Sequence, residues 1–149
     1  MSAWRVIGVG NRDRGDDGAG LALARRLKER APAADVRECA RGGFELLELW
    51  RGAEQVVVVD AARAGGRPGA VRRFEAQRTP LPAGLASGSS HGAGVAEAIE
   101  LARSLGELPG RVVVYAVEAR GFRHGAALSP PVRRAVERLE ARLLRVLAA

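Results

Sequence analysis

Asp17, Asp60 and His91 each stand where an apolar strand gives way to a loop or a helix start, and together they could clasp one divalent metal ion. The chain has only five aspartates, so finding Asp16, Asp17 and Asp60 at such junctions is more pointed than in an acidic protein. Carboxylate oxygens and a neutral imidazole suit a divalent ion, and a set of three leaves coordination positions open. An ion held in that way could polarise a carbonyl and activate water.

Each residue also has a plainer reading. Asp16 or Asp17 could cap the first helix, a contribution of about 1 kcal/mol. A cap uses one carboxylate, which leaves its neighbour free to hold something positive. Asp60 could be a turn aspartate. An ionised carboxylate beside a buried strand nevertheless needs a partner, either a bound cation or an arginine such as Arg63. His91 is one of two histidines and falls at the start of the third expected helix. The positive helix end disfavours imidazolium there and keeps a ring nitrogen available to a metal. His124, in Gly121-Phe122-Arg123-His124-Gly125, reads as a solvated loop residue.

Residues this far apart meet only if the fold brings them together, and the carboxyl edge of a parallel α/β sheet does so. Strand-like and helix-like segments alternate along the chain, the pattern of α/β layering. Residues 4–9 form a short β-branched run ending in Gly8-Val9-Gly10-Asn11. Residues 18–30 place Leu21, Ala24 and Leu27 on one helical face. A weak strand begins at Val36 and stops at Gly42-Gly43, and residues 44–50 give a brief helix with Leu46, Leu47 and Trp50 inward. Four consecutive valines within residues 55–60 mark the clearest buried strand, as in a central parallel strand covered on both faces. Residues 70–75 read as an edge strand, antiparallel because the preceding connection is too short for a helical crossover. Residues 79–90 read as loop, about 92–105 as helix and 111–117 as a buried strand. Ser129-Pro130-Pro131 then opens a long closing helix, with a capping hydroxyl followed by proline in the first turn. The expected fold is one α/β domain over 1–149. It is a three-layer sandwich whose mostly parallel, twisted sheet has about five strands, one edge strand possibly antiparallel, with helices on both faces.

At 149 residues, 47% hydrophobic and 28% charged, the chain can bury a proper core without staples. No apolar run approaches the roughly 20 residues that span a bilayer, so no membrane partner is expected. The amino-terminal stretch reads as a strand, not a signal peptide. Cys39 is the one cysteine, which rules out an internal disulfide and suits a reducing, cytoplasmic setting. The formal charge is +7 and the pI about 11.2. The basic residues are arginines apart from Lys28, spread along helices beside glutamates with few aromatics between them. That distribution reads as a solvated surface and not as a nucleic-acid footprint.

Other catalytic schemes lack their residues. The glycine-rich loop after residue 8 has no Gly-Lys-Ser/Thr ending, and Asp13 stands where a dinucleotide fingerprint needs its third glycine. No Gly-x-Ser-x-Gly elbow or His-Glu-x-x-His helix occurs, and Cys39 has no histidine near it in sequence. It reads as a small buried residue.

The ordered set Gly8-Val9-Gly10-Asn11, Asp16-Asp17-Gly18-Ala19-Gly20, Gly42-Gly43, the valine run to Asp60 with Pro68-Gly69, Ser90-His91 and Leu128-Ser129-Pro130 resembles the maturation endopeptidases of nickel–iron hydrogenases. The likeness spans nearly the whole chain. It implies a metal-dependent cut that removes the C-terminal extension of a hydrogenase large-subunit precursor, by a protein acting as a monomer. Carried over by position, Asp17, Asp60 and His91 would be the metal and catalytic residues. Asp16 would support them as a neighbouring or capping group, and Gly42-Gly43 would let the precursor approach the backbone. The resemblance further implies nickel brought by the substrate, with zinc or cadmium as other ions the site could take. Arg41 and Phe44 around the glycine pair, and Ala119 after Glu118, depart from the pattern and bear on which precursor is cut.

Two further readings stay open on sequence. A peptidyl-tRNA hydrolase also opens with a strand and a Gly-x-Gly-Asn turn, although the His-Asn pair expected soon after is missing here. A non-catalytic metal- or nickel-binding module would need the same three ligands.

Overall fold

In a computed structural model of the chain, residues 3–78, 80–81 and 94–148 are described. Strands β1 (Trp4–Val9), β2 (Asp35–Cys39), β3 (Gln55–Ala62), β4 (Val71–Glu75) and β5 (Arg111–Glu118) form one sheet in the order β2-β1-β3-β5-β4. All neighbours are parallel except β4, which runs antiparallel along the outer edge of β5. The valine-rich β3 lies at the centre, with Val56 to Val59 all buried. Being covered on both faces explains why it shows no alternation of apolar and polar residues. The eight residues between β3 and β4 are too few for a helical crossover, so the chain turns back on the same edge. Glu118 secures that turn by accepting the Ala64 N–H at 3.1 Å.

Helices α1 (Ala19–Arg30) and α4 (Pro130–Ala148) cover one face, and α2 (Gly43–Leu49) and α3 (Val95–Leu105) cover the other. Leu23, Leu27, Val57, Val136 and Leu143 fill the first core; Ile7, Leu46, Trp50, Val58 and Ile99 fill the second. Each such side chain contributes about 1.5–3 kcal/mol on leaving water. A buried Glu140 on α4 accepts from Arg26 on α1 at 2.8 Å and staples the two helices together. No described helix is long and apolar enough to cross a membrane.

The expected three-layer fold is therefore present, with corrections at element ends. Asp60 does not end the central strand: it sits inside β3, opposite Ala116 of β5, and the strand runs on to Ala62. Helix α3 starts at Val95 behind Gly94, later than the expected start near residue 92. The loop expected over 79–90 falls largely outside the described residues, as does His91.

Close backbone packing sets the position of α1 against the sheet. A Cβ on Gly8 would fall onto the Gly20 carbonyl, and one on Gly20 would collide with the carbonyls of Val9 and Val59. The start of α1 is thus pressed directly on the carboxyl ends of β1 and β3. The Asp16-Asp17 pair that precedes α1 is held at the sheet edge as a consequence.

Candidate functional site

The chain leaves β1 through Gly10 and Asn11, whose side-chain oxygen accepts the Asp13 N–H at 3.0 Å and bends the loop. A short 3-10 turn, Gly15–Gly18, then carries both aspartates into the interior, each only 2% exposed. The Asn11 N–H donates to the Asp17 carbonyl at 3.1 Å and ties this turn back to the end of β1.

The two neighbours point different ways. Asp16 accepts the Arg120 N–H at 2.8 Å, the Ser129 N–H at 2.7 Å and the Ser129 hydroxyl at 2.8 Å. It fastens the segment after β5 and the start of α4 to the first loop. The expected capping roles are corrected here. Neither aspartate caps α1, which has no side-chain cap, and the Ser129 hydroxyl gives its proton to Asp16.

Asp17 instead lines a cavity of about 250 Å³ together with Asp60, Asn11, Arg14, Arg41 and Gly42. Asp60 reaches it because it has the strand parity of Val56 and Val58, which face α2 and α3. Gly42, at φ 94°, forms one wall; its left-handed backbone is a conformation that side-chain-bearing residues rarely adopt. Gly43 is the first residue of α2 and is buried. Gly94 and Val95, three and four residues after His91 in sequence, line another wall.

The electrostatics of the cavity are unfavourable as they stand. Burial pushes the Asp60 carboxyl well above the ordinary carboxylate range, and the charge of Asp17 pushes it further; the Ala61 N–H, at 2.8 Å, opposes both. Burial also raises Asp17, against the lowering influence of Arg14 and the Asn11 amide. Asp17 Oδ1 is buried without a hydrogen-bond partner among the described residues. Asp60 forms no ion pair there either, and Arg63 stacks on Phe122 at 5.1 Å. Two buried carboxylates side by side, one with an orphaned oxygen, form a donor set that suits a hard or borderline divalent cation. No group of three metal-binding side chains occurs among the described residues.

The remaining candidates do not join this site. His124 is exposed and lines no part of the cavity. Cys39 is fully buried, its thiol pushed up to about 12 by burial and then by Glu45, which leaves it no thiolate to attack with. The sequence allowed Asp16 a supporting place beside the pair but gave no sign of its partners, Arg120 and Ser129.

A mostly parallel α/β sheet with a buried acid pair in a cleft at its carboxyl edge is an arrangement in which enzyme sites commonly lie. Residues 21–146 match the family model described as HycI, hydrogenase maturation protease, and the chain belongs to that protease family. It is 30% identical over 134 residues to the hydrogenase expression/formation protein HupD of Thiocapsa roseopersicina, covering 86% of this chain and 60% of that protein. It therefore spans less than two thirds of that relative. Its fold matches the NiFe hydrogenase maturation protease HycI of Thermococcus kodakarensis with a TM-score of 0.78 and 25% identity, over 99% of this chain and 94% of the other. The hydrogenase maturating endopeptidase HybD of E. coli shares the fold with a TM-score of 0.72 and 20% identity, over 98% and 92% of the two chains. Family membership sets aside the peptidyl-tRNA hydrolase alternative.

Proposed function

We propose that the chain is an endopeptidase that removes the C-terminal extension of a nickel–iron hydrogenase large-subunit precursor once nickel has been inserted. Asp17, Asp60 and His91 grip the nickel that the precursor brings, which makes the acid pair a reader of substrate loading. The observation that carries this reading is the buried Asp17–Asp60 pair with the unpartnered Asp17 Oδ1. Such a pair is costly when empty and gains most from a cation. Nickel seated there lies beside the scissile carbonyl and polarises it. The chain's own part is to hold the peptide against the Gly42 wall of the cleft that Arg14 and Arg41 also line, and to admit one water, whose oxygen attacks the polarised carbonyl carbon as the C–N bond breaks and whose proton passes to the leaving amine. Arg14 also works against the burial that raises Asp17 and so favours its charged form. The reaction takes place in the cytoplasm, with one copy of the chain per precursor.

The test is to incubate the purified protein with nickel-loaded and nickel-free precursor and follow loss of the C-terminal extension by mass spectrometry. The loaded form should be cut and the empty form left intact; Asp60→Asn or His91→Ala should abolish the cut in a folded protein. Equal processing of both precursors would remove nickel from the reaction. Nickel binding with no cleavage of either would make the chain a binding module.

A further inference from the structure

Helix α4 packs on α1 along one flank and leaves its other flank open toward β5 and β4. Two adjoining hollows follow this seam, of about 510 and 290 Å³, and share Arg73 and Tyr115. Their floor is apolar, formed by Val71, Leu139, Leu143 and Val146. Their rim is basic. Arg138, Arg142 and Arg145 stand at helical spacings of four and three residues along α4, with Arg73 and Arg111 opposite on the strands. No lining residue is shared with the Asp17–Asp60 cavity.

The arginine stripe is not neutralised from within. Glu75 holds Arg111 at 2.8 Å and lies 3.7 Å from Arg73. Arg138 donates to the Gly69 carbonyl at 3.3 Å. Arg142 and Arg145 are exposed and make no ion pair or hydrogen bond with any described residue. Glu140, on the same helix, turns away to Arg26 and Arg30 of α1. Like charges one turn apart work against a helix. The helix end favours a cation at Arg145, but no described side chain pairs with Arg142 or Arg145.

We infer that this groove docks an acidic polypeptide segment, which sets an apolar side chain against the half-buried Val71 and Val146 and its carboxylates against Arg138, Arg142 and Arg145. Guanidinium forks match carboxylates two bonds at a time, and the floor gives the segment an anchor that charge alone would not. A second copy of the chain fits badly, because a two-fold contact would face one arginine stripe with another. A single-stranded nucleic acid fits badly too, because it needs open aromatic faces. Tyr115 is 5% exposed, and Trp4 already carries the Arg111 guanidinium at 5.2 Å. The groove's chemistry is independent of the processing reaction, so either can fail without the other.

The experiment titrates the full chain into a fluorescein-labelled peptide of alternating glutamate and leucine, its lysine–leucine counterpart, and a single-stranded oligonucleotide of equal length, with anisotropy as the readout. The acidic peptide should bind roughly tenfold or more tighter than either control and loosen as salt rises. Arg142→Glu with Arg145→Glu should weaken it by about tenfold or more, Arg142→Gln with Arg145→Gln by less, and Arg142→Lys with Arg145→Lys least of all while still binding more weakly than the native chain, all with unchanged circular dichroism. Tighter binding of the oligonucleotide, no binding of the acidic peptide, or binding indifferent to the charge change would each overturn the inference. So would a self-association that the double reversal dissolves.

Discussion

Asp60→Asn should stabilise the metal-free protein while destroying its affinity for a divalent cation. Asp60 is 5% exposed, forms no ion pair with a described residue, and faces the equally buried Asp17. An uncompensated buried charge costs about 3–5 kcal/mol, but a carboxyl that can take up a proton escapes part of this. Asparagine keeps the shape and removes the charge, at a cost of about 1 kcal/mol for an amide that must find new partners. The net gain is about 1–2 kcal/mol near neutral pH. For 149 residues unfolding with roughly 0.3 kcal/mol per kelvin of entropy, that is about 3–6 °C in Tm.

The sign with pH follows from the direction of the shift. Because burial and Asp17 raise the folded-state pKa of Asp60, its contribution is fully present below the unfolded carboxylate pKa. It is lost as pH rises through the folded value. The Tm advantage of the variant should therefore be near zero in acid and grow toward neutral and mildly alkaline pH. Asp35, Glu38 and Glu75 act oppositely, their arginine and lysine partners holding them low, but they are present in both proteins and cancel in the difference. Differential scanning calorimetry of both proteins over that pH range is the assay. Added nickel or cadmium at a hundredfold excess over Kd should stabilise the wild type by about 2.7 kcal/mol and the variant by nothing. A variant less stable than wild type at mildly alkaline pH, or one still stabilised by the cation, would refute the reasoning.

The other expectations concern what holds the site in place. Gly20→Ala drives a methyl group into the carbonyls of Val9 and Val59, and should cost about 3 kcal/mol or more in urea denaturation because neither backbone can retreat. Asp16→Ala strips the acceptor from the Arg120 and Ser129 amides and the Ser129 hydroxyl, and should cost about 2–4 kcal/mol. Its hydrogen exchange should rise selectively at the start of α4. Cys39→Ala should leave processing activity intact, since the thiol at about 12 is no nucleophile, and lower the Tm only slightly, which thermal melts and the cleavage assay together would show.

What could be read in the sequence follows from which signals are local. The valine run of β3, the glycines after β1 and the proline pair of α4 each act over a few residues, and each marked its element to within a residue or two. The antiparallel edge strand was legible for the same reason, because its connection is short. The strand position of Asp60 was not legible. Ala61 and Ala62 carry no strand signal of their own and extend β3 only because β5 offers partners as far as Glu118. The partners of Asp16 were equally hidden, since they lie more than 100 residues away and three of its contacts are to backbone, which any residue type supplies.

That division between neighbours explains how the fold sustains an acid pair at all. Asp16 is buried as deeply as Asp17, yet every hydrogen bond its carboxylate accepts comes from the segment that leads into α4. Those bonds fix the 3-10 turn, and with it Asp17, which has no such support at Oδ1. Gly8 and Gly20 hold the same turn from the other side by letting α1 rest on the strand ends. Repulsion between Asp17 and Asp60 could be relieved by a small outward shift of the loop, but the Asp16 bonds and the glycine contact both resist it. The acid pair is thus held in an unfavourable charge arrangement by the contacts around it, and under the proposed function a cation would relieve it. Loosening either anchor should therefore weaken cation binding even though neither residue touches the cavity, and Asp16→Ala measured by calorimetric titration with cadmium should show reduced affinity. Unchanged affinity in a folded Asp16→Ala protein would mean that the acid pair keeps its geometry without this anchor.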